Sequence, residues 1–248
     1  SPEKMAENWV KTLDMIAKDD LLDTVFYTDM CNEWPGDLWA PYFKNNPPEA
    51  TWGFWHTDTS MQWMEDTLSI VRQHYPDMPL CFSFDGDRVE YYEERNISFM
   101  DLLEHHTWMV KENEGEFYKK AGYKYDRFSP ESYQNLADHG EILYREKPEY
   151  WQGLMKSKIQ RIAKSARKAG QPLVTSECWG SVDYKDWPML DWGWVKELCA
   201  MGTIEAARTG QWAAIATSNF CEPQFEGMWR DVEWHRNLTD KIKASNIN

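Results

Sequence analysis

Residues 24–34 have the sequence TVFYTDMCNEW, an apolar run that ends in polar residues. The part over 24–30 has the length and the β-branched and aromatic content of a buried strand. Residues 172–180, PLVTSECWG, repeat this order. Each segment therefore predicts a strand whose carboxyl end carries one glutamate close to a tryptophan, Glu33 in the first segment and Glu177 in the second.

Helices and further strands alternate with these two segments. Apolar residues at helical spacing predict helices over 2–18, 60–74, 149–169, 189–208 and 231–244, and another that begins at Ser129. Apolar runs predict strands over 24–30, 79–84, 97–104, 172–176 and 213–217.

Strands that alternate with helices predict an α/β fold with right-handed crossovers and a parallel sheet. An open doubly wound sheet usually carries a glycine-rich phosphate loop, which the sequence lacks. Polar and acidic residues instead follow the strand ends, as in a (β/α)8 TIM barrel. Five strands in 248 residues take about 50 residues each, so eight would need about 400, against ~250 for a lean barrel. We predict a single catalytic barrel domain over residues 1–248, the C-terminal five-eighths of a barrel, with up to three N-terminal strand–helix units missing.

Composition excludes some classes of function. The chain has 27 Lys and Arg against 41 Asp and Glu, a net charge of −14, so it lacks the basic surface that nucleic acids require. No apolar window approaches the ~18 residues of a membrane span. The 15 Trp and 12 Tyr residues are typical either of a sugar-binding site or of a tryptophan-rich core, and composition leaves both open.

The five cysteines are widely spaced and form no C-x-x-C motif, which argues against a zinc ribbon or a dithiol redox site. We interpret them as reduced thiols, which favours a cytoplasmic setting, although the N-terminus is uninformative about location.

Two carboxyl groups that face each other at a barrel mouth suit the cleavage of glycosidic bonds. One group donates a proton to the leaving oxygen, and the other attacks or stabilises the sugar cation. Burial beside an indole and the charge of the second carboxylate would raise the pKa of the donor, as that role requires.

The sequence motifs at the two strand ends resemble those of a known family. Residues 29–35, DMCNEWP, resemble the Asn-Glu motif after barrel strand four of the clan A retaining glycoside hydrolases, which are cellulase-like (β/α)8 barrels. Residues 171–180, QPLVTSECWG, are similar to the seventh-strand segment of that clan. In this register the five predicted strands are barrel strands four to eight. The nearest group is the sugar-binding cellulase-like one.

The resemblance implies the roles of several residues. Glu33 would be the acid/base and Glu177 the nucleophile, while Asn32 would bind the sugar hydroxyl next to the reacting carbon. Residues 101–108, DLLEHHTW, are similar to the sixth-strand His-x-Tyr pattern, in which His106 lines the site. Trp108 replaces the usual tyrosine and therefore removes its phenol hydrogen bond.

Other candidate binding residues lie in loops. Asn219 stands where the clan commonly places a tryptophan platform, so Trp229 or Trp179 would provide the stacking face for a sugar. Asp85 either holds substrate or forms an Asx turn. The tryptophans of the first long loop either wall a subsite or pack that loop onto the barrel; they are Trp34, Trp39, Trp52 and Trp55.

Three functions remain open from the sequence. The first is a retaining glycoside hydrolase whose carboxyl groups lie about 5 to 5.5 Å apart; a separation near 9 Å would favour inversion. The second is a carbohydrate-binding barrel without catalysis, and the third a metal-dependent sugar isomerase or hydrolase that uses Glu177, His106 and Asp85. For the first we expect an oligosaccharide or glycoside substrate, no cofactor or metal, and no nucleic-acid or membrane partner. A separate N-terminal segment would complete the barrel.

Overall fold

The computed structural model describes residues 1–36, 54–86, 88–124, 129–181, 184, 191–217, 228 and 230–246. The helices in these ranges are α1 (Pro2–Lys18), α2 (Asp58–His74), α3 (Tyr91–Glu94), α4 (Glu112–Ala121), α5 (Pro130–Glu146), α6 (Pro148–Ala169), α7 (Gly193–Thr209) and α8 (Val232–Lys243). The strands are β1 (Thr28–Asp29), β2 (Leu80–Cys81), β3 (Ser83–Phe84), β4 (Leu103–His105), β5 (Thr107–Trp108), β6 (Leu173–Thr175), β7 (Cys178–Trp179) and β8 (Trp212–Ile215). No helix among the described residues has the length and apolar character needed to cross a membrane.

Local sequence signals set the helix ends. The Ser1 hydroxyl accepts a hydrogen bond from the Lys4 N–H (3.4 Å) ahead of Pro2, so α1 begins at the predicted residue. The same cap-and-proline arrangement begins α5, where Ser129 accepts from the Ser132 N–H (3.3 Å). Gly210 ends α7 because its positive φ (67°) suits the left-handed cap conformation.

Each predicted strand position holds a strand, but most of the strands are shorter than predicted. A 3-10 turn over Leu22–Thr24 occupies the start of the predicted strand 24–30. The predicted strand 97–104 begins only at Leu103, because residues 97–100 form a turn closed by the Met100 N–H and the Ile97 carbonyl (3.0 Å). At three of the predicted strand positions the chain forms two short strands with one or two residues between them. These strands are β2 and β3, β4 and β5, and β6 and β7.

Two helices were missed by the sequence analysis. Helix α4 starts with a left-handed turn, in which Asn113 and Glu114 have φ values of 50° and 58°, so its regular helical part is short. Helix α3 is a single turn in an acidic run, and it buries Tyr92.

The chain forms two compact units. Unit 1 is Ser1–His106 with Ser165–Val174. In it β1 pairs with β2 and β3 pairs with β4, both in parallel, and α2 is the connection between β1 and β2. Helices α1 and α2 pack together through buried residues such as Leu13 and Leu68.

Unit 2 is Thr107–Lys164 with Thr175–Asn248. Its strands β5 and β7 are parallel, with Trp108 in register with Trp179. Its core is aromatic: the Phe117 ring lies 5.1 Å from the Trp151 ring and 5.8 Å from the Trp194 ring. The predicted α/β class with parallel strands is confirmed, while the closed barrel and the single domain stay predictions.

Four cysteines, Cys31, Cys81, Cys178 and Cys199, are buried free thiols, and Cys221 lies outside the described residues.

Gly202 of α7 is required by close packing, which predicts a stability effect. A Cβ at Gly202 would lie 2.7 Å from ring atoms of the fully buried Trp179. We expect Gly202→Ala to lower the free energy of unfolding by about 1 to 3 kcal/mol through overpacking. Gly153 of α6 is the matched control, because among the described residues its added Cβ would meet nothing within 4 Å beyond its chain neighbours and the backbone of its own helix. Gly153→Ala should leave stability unchanged or raise it by up to ~1 kcal/mol. Urea denaturation measures both changes, and equal effects would contradict the packing argument.

Candidate active site

The carboxylate of Asp29 joins the ends of two strands in unit 1. Asp29 is the last residue of β1, and its Oδ1 accepts hydrogen bonds from the Ser83 N–H (2.8 Å) and the Cys31 N–H (3.1 Å). One acceptor therefore ties β3 to β1 and also sets the direction of the chain after β1.

Ser83 positions the loop that carries Glu33. The Ser83 Oγ accepts a hydrogen bond from the Glu33 N–H (2.9 Å), and the Ser83 carbonyl accepts from the Trp34 N–H (2.9 Å). Glu33 has a φ of 47°, a left-handed conformation that non-glycine residues rarely adopt. Such conformations persist where the surroundings hold them, and they cluster at functional sites. The bonds to Ser83 are that support, and Glu33 is only 7% exposed.

His106 contacts the predicted acid/base directly. Its Nδ1 lies 3.1 Å from Glu33 Oε1, and the imidazole is buried. The neighbouring His105 instead places its Nδ1 2.7 Å from the Tyr92 hydroxyl. Adjacent strand residues point to opposite faces, which explains the two separate environments. The structure thus brings Glu33 and His106 together.

Glu104 was missed by the sequence analysis and belongs to the same cluster. It lies two residues before His106 on β4 and is fully buried, and its Oε1 is 3.8 Å from His106 Nε2. The Tyr27 hydroxyl donates a hydrogen bond to its other carboxylate oxygen. The signal that identifies it is an acidic residue within a predicted buried strand, since buried charges are normally paired.

The remaining candidates of unit 1 have different surroundings. Asn32 is half-buried beside Glu33. Trp34 is buried and donates its Nε1–H to Ser60 Oγ (2.7 Å). Asp85 is buried, and its Oδ1 accepts from the Gly86 N–H (2.7 Å); both alternatives for it stay predictions. Trp55 is also buried, 4.7 Å from the Phe84 ring, which is typical of loop packing; Trp39 and Trp52 lie outside the described residues.

Glu177 occupies the predicted strand end in unit 2. It lies between β6 and β7 and is half-buried. Its carbonyl accepts hydrogen bonds from the Thr107 N–H (3.2 Å) and from Thr175 Oγ1 (3.2 Å). These bonds hold the backbone at the position from which its side chain projects.

The aromatic candidates of unit 2 are buried. Trp108 is 2% exposed, and Trp179 is fully buried, with its Nε1–H bonded to the Ala216 carbonyl (3.0 Å). Their predicted contacts with a sugar stay predictions, because ring faces covered by protein need rearrangement before a ligand can stack on them. Asn219 and Trp229 lie outside the described residues.

Comparison with known proteins decides the family. Residues 1–243 match the model of the sugar-binding cellulase-like family. This chain belongs to the sugar-binding cellulase-like family. It is also similar to a crystal structure of a proposed glycoside hydrolase from Parabacteroides distasonis, with 56% sequence identity and a TM-score of 0.95. The match covers 100% of this chain and 65% of that one. None of the curated proteins matches the chain in sequence.

The electrostatics of unit 1 of this cellulase-like protein centre on Asp29. Removal of its carboxyl from water and the negative charge of Glu104 raise the pKa of Asp29 to about 6. Hydrogen bonds from Ser83 and the charge of His106 act in the opposite direction. Burial and the charge of Asp85 likewise raise the pKa of Tyr92.

His106 lies between two carboxyl groups of unit 1. Its ring nitrogens face Glu33 at 3.1 Å and Glu104 at 3.8 Å. The alternative that combines Glu177, His106 and Asp85 as metal ligands stays a prediction.

The raised pKa of Asp29 predicts a specific pH dependence of stability. The folded protein binds a proton at Asp29 more tightly than the unfolded chain, whose aspartates titrate near ~3.9. Stability due to this group is therefore lost as pH rises from about 4 through about 6. Asp29→Asn keeps the Oδ1 acceptor and removes the titration. Its free energy of unfolding relative to wild type should rise by roughly 1 to 3 kcal/mol between pH 4 and pH 7.

Urea denaturation across this pH range measures the effect. Asp138→Asn, at an exposed position on α5, is the control for the change in side-chain chemistry. A pH-independent difference between Asp29→Asn and wild type would contradict the assignment.

Proposed function

We propose that this cellulase-like protein is a retaining glycoside hydrolase in which Glu33 is the acid/base and Glu177 the nucleophile. The observation that carries the proposal is the environment of Glu33. It is a buried carboxyl group at the carboxyl end of a parallel strand, in a left-handed backbone conformation, 3.1 Å from His106. The family match and the similarity to a proposed glycoside hydrolase support it.

The reaction proceeds by two displacements. In the first, a Glu177 oxygen attacks the anomeric carbon, the bond to the leaving oxygen breaks, and Glu33 gives that oxygen its proton. In the second, Glu33 takes a proton from water, which attacks the anomeric carbon and releases Glu177. Asn32 binds the neighbouring sugar hydroxyl, and this contact strengthens as positive charge develops.

The same proposal includes the barrel. The five strand positions correspond to barrel strands four to eight, and polypeptide outside these 248 residues supplies the rest. The chain spans 65% of the length of the solved chain it resembles, which supports this arrangement. The substrate is an oligosaccharide or another glycoside, and Trp229 or Trp179 provides its stacking face.

Sugar binding without catalysis is the second candidate, and the description of the family as sugar-binding favours it. In that case the polar and aromatic residues would bind a carbohydrate, and no covalent intermediate would form.

Variants of the two glutamates test the assignment of roles. Glu177→Ala should abolish turnover of every substrate. Glu33→Ala should lower kcat on natural linkages by about 10²- to 10⁴-fold, because proton donation is lost. It should spare the first step with dinitrophenyl glycosides, whose leaving group needs no proton. Steady-state kinetics on both substrate types measure the effects, with Glu65→Ala at an exposed position of α2 as the control. Activity of either variant equal to wild type would refute the assignment.

The stereochemistry of the product tests the mechanism. A retaining enzyme releases the sugar with its original anomeric configuration, which proton NMR observes before mutarotation. A fluorinated glycoside should form an adduct on Glu177, detectable by mass spectrometry of peptides. Turnover should also survive addition of a chelator. Inverted product would rule out double displacement, while bound sugar with neither turnover nor adduct would favour the carbohydrate-binding candidate.

A further inference from the structure

Unit 1 buries more acidic groups around His106 than double displacement uses. Glu104 has no exposed surface, and the half-buried Asp29 interacts with it electrostatically. Of the carboxyl groups of this unit, the two-step reaction uses only Glu33. Carboxylates are expensive to bury, so this concentration of negative charge at one imidazole requires an explanation.

Glu104 and His106 are close along the chain and in space. Glu104 lies on β4, and His106 follows directly after this strand, with its N–H bonded to the Phe84 carbonyl (2.8 Å). His106 Nδ1 is 3.1 Å from Glu33 Oε1, whereas His106 Nε2 is 3.8 Å from Glu104 Oε1. The imidazole of His106 therefore lies between Glu33, which is the proposed acid/base, and Glu104, which has no role in the two-step reaction.

Glu104 has further neighbours in unit 1. The Tyr27 hydroxyl donates to Glu104, and Ser83 is in register with Glu104 on the adjacent strand. Asp29 lies close enough for its carboxyl to interact electrostatically with both Glu104 and His106. Burial and the negative charges of Asp29 and Glu104 raise the pKa of the Cys81 thiol on β2.

We propose that Glu104, supported by Asp29, is a positioning residue that acts through His106 to keep the transferable proton on the Glu33–His106 pair. The proposal rests on the proposed function, since it assigns a purpose to the proton that Glu33 donates. Glu104 does not touch the substrate.

The physical basis is the cost of adding negative charge to a buried cluster that is already negative. Loss of the shared proton leaves the Glu33–His106 pair more negative by one charge. Negative charge on Glu104 and Asp29 opposes that loss. The Glu33–His106 pair therefore keeps its proton to a higher pH than it would without these two charges. Loss of this proton gives the alkaline limb of the pH profile of activity.

The test compares pH profiles of kcat/KM. Glu104→Gln keeps an oxygen that can accept from Tyr27 but removes the charge. In Glu104→Gln, the apparent pKa of the alkaline limb of the kcat/KM profile should fall by about one unit. The acid limb and KM should stay near their wild-type values. Tyr27→Phe keeps the charge, so its alkaline limb should move much less. Asp29→Asn should shift the limb in the same direction as Glu104→Gln.

A matched control separates this effect from the loss of any buried carboxylate. Glu112 is a buried acidic residue of unit 2, 3.6 Å from the buried Lys158. Glu112→Gln should leave the alkaline limb in place, whatever it does to stability. A purely structural role of Glu104 would lower kcat without moving the limb, and that result would overturn the proposal. If Glu104→Gln does not fold, an unshifted limb in Asp29→Asn overturns it.

Failure of this proposal is distinguishable from failure of the proposed function. A wild-type protein that turns over glycosides and forms the Glu177 adduct, while Glu104→Gln keeps the alkaline limb of wild type, refutes only the role of Glu104. A wild-type protein with neither turnover nor adduct refutes both.

Discussion

The carboxylate of Asp29 is the constraint on which the site of unit 1 depends. Its Oδ1 binds the N–H groups of Ser83 and Cys31 together, and Ser83 in turn holds the N–H of Glu33. Strand β1 has only two residues, so its own ladder cannot fix the chain beyond it. Side-chain hydrogen bonds to the backbone supply that order, and they keep Glu33 in a conformation that an unsupported loop would abandon.

The same arrangement creates an electrostatic problem that His106 relieves. Asp29, Glu33 and Glu104 concentrate negative charge in a region with little access to water, where like charges repel strongly. The buried imidazole contacts Glu33 on one side and faces Glu104 on the other, and it favours the ionised form of Asp29. The residues that hold the loop of Glu33 in place are therefore also the residues that set its protonation. A change to any of them affects both the structure of the loop and the proton on the Glu33–His106 pair.

Predictions from the sequence succeeded where a residue depends on its neighbours in the chain. Helix α1 begins at the predicted residue because Ser1 and Pro2 form a local cap, and Glu33 and His106 follow predicted strand positions. The predicted strand 97–104 was too long, because a turn and the contact of Asp101 with the Leu80 N–H (2.9 Å) occupy its first part. Glu104 was missed because its importance comes from partners far away in the sequence, such as Tyr27.

By itself, the sequence determined the alternation of helices and strands, the parallel α/β class and the strand-end motifs. These features depend on periodicity, helix caps and short sequence motifs, which are local properties of the chain. Tertiary structure decided which carboxylates are buried, how His106 contacts Glu33 and which tryptophans are covered by protein. These properties depend on distances between segments that are far apart in the sequence, as between Glu33 and Ser83, and no local pattern encodes such distances.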